Sequence, residues 1–271
     1  MSIALSLYIL STLGYLVFLL FKREVWQRAG FFLLCAGFVS HGILLGKNWV
    51  EAGHLPLFDL AGNLSFCAFI FAGVFIALRH RYHVKILGIF VASVTAGLSL
   101  TSWLLPSVPA TPDPAYVSLW VVVHVAASFG GNAAFTLAFA VGLLYLLLER
   151  RIKEKRKDIL FRRLPSLELL DATGHACVIV GFSLMTLGMA TGILYARAVW
   201  GSFWSWDPKE VWSLVVWLVY AALLHGRLSS EWRGRKAARM AVLGFLLVLF
   251  TFLGVNFLFM GHHGDFTRIG H

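Results

Sequence analysis

Eight long apolar runs constrain this chain more than anything else in its sequence. They cover residues 3–21, 29–46, 57–78, 86–105, 117–148, 172–195, 208–225 and 241–260. A helix of about 20 apolar residues crosses the hydrocarbon core of a bilayer, and each run reaches that length or close to it. With 59 % hydrophobic residues and a mean hydropathy of +0.79, the chain is too apolar to close one soluble core and keep a polar surface. The expected fold is therefore all-α: a single polytopic membrane domain over residues 1–271 with about eight transmembrane helices. The fifth run overshoots, so its helix should tilt or project beyond the membrane. The first run has no basic segment before it and no small-residue cleavage site after it, and reads as a retained helix.

The net charge of +10 would suit nucleic acid if it were spread over one surface, but its placement excludes that reading. Nineteen of the 23 basic residues lie in alternate connections: Lys22, Arg23 and Arg28; Arg79, Arg81 and Lys85; eight between Arg150 and Arg163; and Arg227, Arg233, Arg235, Lys236 and Arg239. By the positive-inside rule these connections are cytoplasmic, and both termini face the outside together with the segments around residues 47–56, 106–116 and 196–207. The basic loop 149–165 is a topogenic signal, with contact to anionic membrane lipid as its further use. His80 and His83 read as solvated loop residues. The cysteines Cys35, Cys67 and Cys177 fall inside the runs and form no C-x-x-C pair, which excludes a thiol relay or a chain that is itself a c-type haem protein. No G-x-x-x-x-G-K-[ST] motif is present, so the chain is not an ATP-driven pump by itself.

One outward segment, "WGSFWSWDPKE" (residues 200–210), is both aromatic and polar. Asp207, Pro208 and Glu210 suit the start of the next helix, with Glu210 reaching back as the third residue of a capping box. That explanation leaves the tryptophans untouched. Trp200, Trp204, Trp206, Trp212 and Trp217 are five of the ten in the chain and lie within 18 positions, whereas an interfacial belt would spread them over many helix ends. They suit a platform for a large flat ligand. His124 lies near the outer end of the fifth run, and His262 and His263 follow the eighth, so imidazoles occur at the same depth. His124, Ser128 and Asn132 recur every four residues and form a polar stripe directed into the bundle. Two histidine sites and an aromatic platform at one depth suggest haem held by two axial imidazoles. The glycines Gly181, Gly188 and Gly192 read as places of close helix approach.

Residues 170–227, "LDATGHACVIVGFSLMTLGMATGILYARAVWGSFWSWDPKEVWSLVVWLVYAALLHGR", resemble the tryptophan-rich (WWD) haem-handling signature of the CcsA type of System II cytochrome c biogenesis proteins. The resemblance continues in "GHLPLFDLAGNLSF", in "LWVVVHV" around His124 and in the terminal "GVNFLFMGHH", and so covers most of the chain. It implies that His124 and the histidine after the last span are axial ligands of protohaem IX (haem b) beside an external tryptophan-rich loop, residues 196–210. Register favours His263, with His262 beside it as the alternative. It also implies that His225 ligates haem in transit, that Trp200, Trp204, Trp206, Asp207, Trp212 and Trp217 belong to the haem-handling surface, and that Arg197 and Lys209 can pair with the propionates. His41 and His175 are further candidates for haem in transit. "GHLPLFDLAGNLSF" lacks the Glu-Ser pair common in the family, and its own role and that of His54 are open.

The activity implied is that of a haem lyase subunit: haem is conducted outward and its vinyl groups are joined to the cysteines of a C-x-x-C-H apocytochrome c. No residue of this chain is expected to act as a nucleophile. The expected partners are a CcsB or ResB type membrane subunit and the apocytochrome, in a bacterial plasma membrane or a thylakoid-type membrane. Two other readings remain at this stage, a haem exporter or carrier-loading protein of the CcmC type and a haem-sensing or scaffolding protein of the HemX-like kind. Eight spans and the "LLHGR" ending favour the first reading over the CcmC type.

Overall fold

The computed structural model describes residues 1–81, 87–106, 118–155, 165–228 and 232–254. Among the described residues there are eight α-helices and no strand: α1 (Ser2–Phe21), α2 (Glu24–Ala52), α3 (Leu60–Arg81), α4 (Leu87–Leu104), α5 (Leu119–Lys153), α6 (Leu167–Trp200), α7 (Pro208–Leu228) and α8 (Arg235–Leu249). Helices α1 to α7 are each long and apolar enough to cross a membrane. The eighth, α8, has 15 residues and passes directly into a π-helical turn, Phe250–Gly254. The fold is the all-α, polytopic membrane architecture expected from the apolar runs.

Several helices run past the apolar stretch that announced them. Helix α2 includes Lys47 and Glu51, paired one turn apart at 3.6 Å. Helix α5 has 35 residues, a length of about 52 Å, and so overshoots the hydrocarbon core as the fifth run predicted. Helix α6 overshoots as well, with 34 residues. The basic stretch expected as a loop begins on α5, where Lys153 pairs with Glu149 and Arg150 with Glu154, both at 2.7 Å. Hydropathy registers only the apolar middle of a helix, whereas the backbone ladder continues through charged residues that pair at i,i+4. Residues 156–164, like His83, lie outside the described residues.

The helices form two compact units, Met1–Val122 and Val123–Gly261. In the first, α1 and α2 make a hairpin through glycines: a Cβ on Gly14 would lie 3.1 Å from the Gly30 Cα, so the two backbones nearly touch. The Ser11 hydroxyl uses this approach to donate to the Gly30 carbonyl at 2.7 Å. At one end Arg79 donates to the Tyr15 hydroxyl at 2.8 Å and lies 3.6 Å over the Phe31 ring, so its charge is received by a phenol and an aromatic face. At the other end Asp59 caps α3, its Oδ1 accepting from the Gly62 N–H at 2.9 Å, while the Asn63 amide donates to the Leu57 carbonyl at 3.2 Å. The "LPLFDLAGN" stretch is thus the start of a helix. His54 beside it donates from Nδ1 to the Leu55 carbonyl and stands edge-on to Phe58.

In the second unit α5 packs closely on α6, where a Cβ on Gly131 would meet the Met185 backbone nitrogen at 3.0 Å. Phe135 stacks on Tyr220 of α7 at 3.5 Å between centroids, and a Cβ on Gly142 would meet the Ala238 carbonyl of α8 at 3.0 Å. The far end from residues 201–207 is closed by an ion pair that the sequence did not announce. Arg227 donates to both oxygens of Asp171, at 2.9 and 2.6 Å, and the Gly234 N–H adds a third donor at 3.0 Å. Both side chains are largely buried. Asp171→Asn is expected to destabilise the protein by about 3 kcal/mol, the lower end of what removing one member of a buried pair costs, since some surface remains wet. Thermal melting in detergent should register the loss, and the double replacement Asp171→Leu with Arg227→Leu should recover much of it.

Candidate functional site

Between α6 and α7 only residues 201–207 are non-helical, so the tryptophan-rich segment is a short, tightly tied connection. Helix α6 ends because Gly201 takes a left-handed conformation, φ 75°, from which its N–H bonds the Arg197 carbonyl. Arg197 is committed locally: its guanidinium donates to the Gly201 carbonyl and lies 5.3 Å over the Phe203 ring. On the other side Asp207, only 5 % exposed, accepts the Lys209 N–H at 2.8 Å and starts α7. Glu210 does reach back, but to Ser205, whose N–H and hydroxyl it accepts at 2.9 and 3.0 Å. The reach past the cap pins the loop as well as the helix start.

The tryptophans divide into two groups. Trp206 has φ 58°, the left-handed region that a bulky side chain rarely enters, and it is 78 % exposed. A conformation costing roughly 1–2 kcal/mol thus holds a large apolar ring out of the protein. Trp204 stands perpendicular to it at 6.0 Å, and Trp200 sits edge-on to Tyr195 at 6.3 Å. Trp212, one turn into α7, meets Phe250 of the π-helical turn edge-on at 4.6 Å, and Phe252 of the same turn meets Phe129 of α5 at 6.1 Å. Trp217 is different. It lies farther down α7, stacks on Phe182 of α6 at 5.1 Å, and donates its indole N–H to the Thr186 hydroxyl at 2.9 Å. Its place is in the α6–α7 packing, away from the loop.

His124 is in the second turn of α5, half-buried, at the end of the bundle that carries residues 201–207. Its Nδ1 is 2.7 Å from the Gly188 carbonyl oxygen on α6. A carbonyl can only accept, so Nδ1 carries the proton and the neutral ring has its lone pair on Nε2. That is the form of imidazole that ligates a metal, with a backbone carbonyl as its outer support. One turn on from Gly188, a Cβ on Gly192 would lie 2.6 Å from the His124 Cε1. Ser128, next on the polar stripe, packs against Gly188, where a Cβ would come within 2.6 Å of its hydroxyl. Gly188 and Gly192 were legible in the sequence as a G-x-x-x-G packing motif; that they face a histidine was not.

Among the described residues of the second unit, His175 and His225 are not gathered with His124. His41 is fully buried in the first unit, with Nδ1 3.3 Å from the Tyr8 hydroxyl and Nε2 2.8 Å from the Ser65 hydroxyl. Both nitrogens are engaged in joining α1, α2 and α3, and a metal would have to displace one of these bonds. His175 lines a small cavity with Asp171, Arg227 and Tyr145, and its buried Nδ1 has no hydrogen-bond partner among the described residues. His225 is exposed in the last turn of α7, whereas Leu223 and Arg227 on either side of it turn toward that cavity. The structure therefore does not bring His175 and His225 together. His262 and His263 lie outside the described residues.

Residues 57–263 match the family model described as cytochrome c assembly protein. Among curated relatives, the cytochrome c biogenesis protein CcsA of Guillardia theta is 32 % identical over 94 % of this chain and 91 % of its own length. The CcsA proteins of Microcystis aeruginosa and Chlorella vulgaris are 30 % and 33 % identical, covering 94 % and 80 % of this chain and 95 % and 79 % of their own lengths. The matched region takes in His124, the 201–207 connection and His225. The chain belongs to the cytochrome c assembly protein family and is of its CcsA type, a multi-pass membrane protein of cytochrome c maturation.

Proposed function

We propose that this chain is the subunit of a System II cytochrome c synthase that conducts haem across the membrane and presents it beside the tryptophan-rich connection for attachment to a C-x-x-C-H apocytochrome c. The observation that carries the reading is the 2.7 Å bond from His124 Nδ1 to the Gly188 carbonyl, which directs the lone pair to Nε2 at the same end of the bundle as Trp200, Trp204, Trp206 and Trp212. An oriented imidazole at the end of the bundle that carries the exposed Trp206 and the half-buried Trp200, Trp204 and Trp212 is a donor set that would fit an iron porphyrin, with His263 proposed as the second ligand. The positive-inside distribution of basic residues supports an outward orientation of this end.

The chemistry needs no nucleophile from this chain. Each cysteine S–H of the substrate adds across one vinyl C=C of haem, forming one C–S and one C–H bond with no leaving group and no net oxidation. What the protein contributes is position: holding reactants in register supplies roughly 7–11 kcal/mol of the barrier. His124 would hold the iron, Trp204, Trp206 and Trp212 would bound the ring plane, and Lys209 would meet a propionate, as would Arg197 if it left the Gly201 carbonyl and the Phe203 ring that now engage it. His225, exposed on α7, is accessible to a ligand or to a CcsB or ResB type partner.

The chain should purify from haem-replete membranes with a b-type, low-spin, six-coordinate spectrum. Co-expressed with its partner and an apocytochrome, it should give a haem-stained cytochrome band on a denaturing gel. A colourless protein, or haem binding with no covalent product in the presence of the partner, would refute the synthase reading; the second outcome would fit an exporter.

A further inference from the structure

Resting on the reading of His124 as a haem ligand, we infer that Gly188 and Gly192 of α6 form the seat that positions it. Two independent features of α6 converge on one ring. The Gly188 carbonyl receives the Nδ1 proton at 2.7 Å, which fixes both the tautomer and the rotation of the imidazole. Gly192, one turn farther on, leaves the volume the ring occupies: a Cβ there would lie 2.6 Å from Cε1 and 2.7 Å from Nδ1. The pair is thus more than a helix-packing motif. At Gly131, by contrast, an added Cβ would meet backbone, 3.0 Å from the Met185 nitrogen, so that glycine serves helix approach alone.

The distinction has a direct consequence. The three atoms nearest a methyl group at residue 192 all belong to the imidazole, and a side chain with two rotatable bonds yields more easily than a helix. Gly192→Ala should therefore leave the bundle folded and displace the ring from the Gly188 carbonyl. The acceptor is part of the α6 backbone, and the Thr191 hydroxyl, which donates to the Leu187 carbonyl at 2.8 Å and shares its proton with the Gly188 carbonyl at 3.0 Å, does not depend on the ring, so the acceptor stays in place when the ring moves.

The test uses the full-length protein in the His124→Gly background, where free imidazole can take the ring's place. Imidazole keeps an N–H for the Gly188 carbonyl and 1-methylimidazole does not, although both offer a ligating nitrogen. Spectral titration should find 1-methylimidazole binding about 10- to 100-fold more weakly than imidazole, the usual cost of losing an outer-shell partner. Adding Gly192→Ala should weaken imidazole binding by a similar factor, whereas adding Gly131→Ala should lower the yield of folded protein and leave the affinity alone. Gly192→Ala by itself should convert part of the six-coordinate spectrum to a five-coordinate one. Equal affinity for the two imidazoles, or imidazole binding unchanged by Gly192→Ala, would overturn the inference while leaving His124 as a ligand. No spectral change in His124→Gly itself would remove the ligand assignment, and the seat with it.

Discussion

His124→Gly is expected to turn a six-coordinate, low-spin haem spectrum into a five-coordinate one, and added imidazole is expected to turn it back and restore part of the cytochrome maturation. The reason is geometric. His124 stands at the end of the bundle that carries the exposed Trp206, with its lone pair on Nε2, and its removal leaves a space shaped by Gly188 and Gly192 that a free imidazole fits. A histidine that only joined two helices would not behave this way, because a diffusing ligand cannot replace a covalent link between them. His263→Gly should give the same loss and rescue, and His262→Gly little effect. If His262→Gly alone shows loss and rescue, the second ligand is one residue earlier. If none of the three variants changes the spectrum, the external haem site is refuted.

The second large effect concerns His225. Its replacement by alanine should lower the haem content of the whole protein, including haem seen at the His124 site, since it lies upstream on the proposed route. The ring is exposed on α7, so the change removes no buried contact, and the protein should remain folded and abundant in membranes. Haem content per mole of protein, read from a pyridine haemochrome spectrum, and cytochrome yield should fall together. Full haem loading with full maturation in His225→Ala would refute the conduit part of the function and leave the external site intact.

These two histidines show what a sequence can carry. Transfer from water to hydrocarbon is a sum over neighbouring residues, so the apolar runs located the helices, and the crowding of tryptophans near 200–217 marked the connection that matters. The caps were legible for the same reason: Asp207 and Pro208 act on their own helix within a turn. The backward reach of Glu210 also follows from its place in the first turn, while its partner, Ser205, is set by the fold of the connection.

What the sequence could not give is the surroundings of a side chain, which are made by residues far away along the chain. His124 and Gly188 are 64 positions apart, and only the packing of α5 on α6 turns a G-x-x-x-G pair into a support for an imidazole. His41, a candidate ligand by its place in the second run, meets Tyr8 of α1 and Ser65 of α3 through its two nitrogens, partners that no spacing announces. Trp217 belongs by spacing to the tryptophan cluster, yet helical rotation turns it onto Phe182 and Thr186. Apolar patterning fixes where a helix lies in the membrane, because burial is an averaged, non-directional force. Which way each polar group points is decided by hydrogen bonds that exist only once the helices have met.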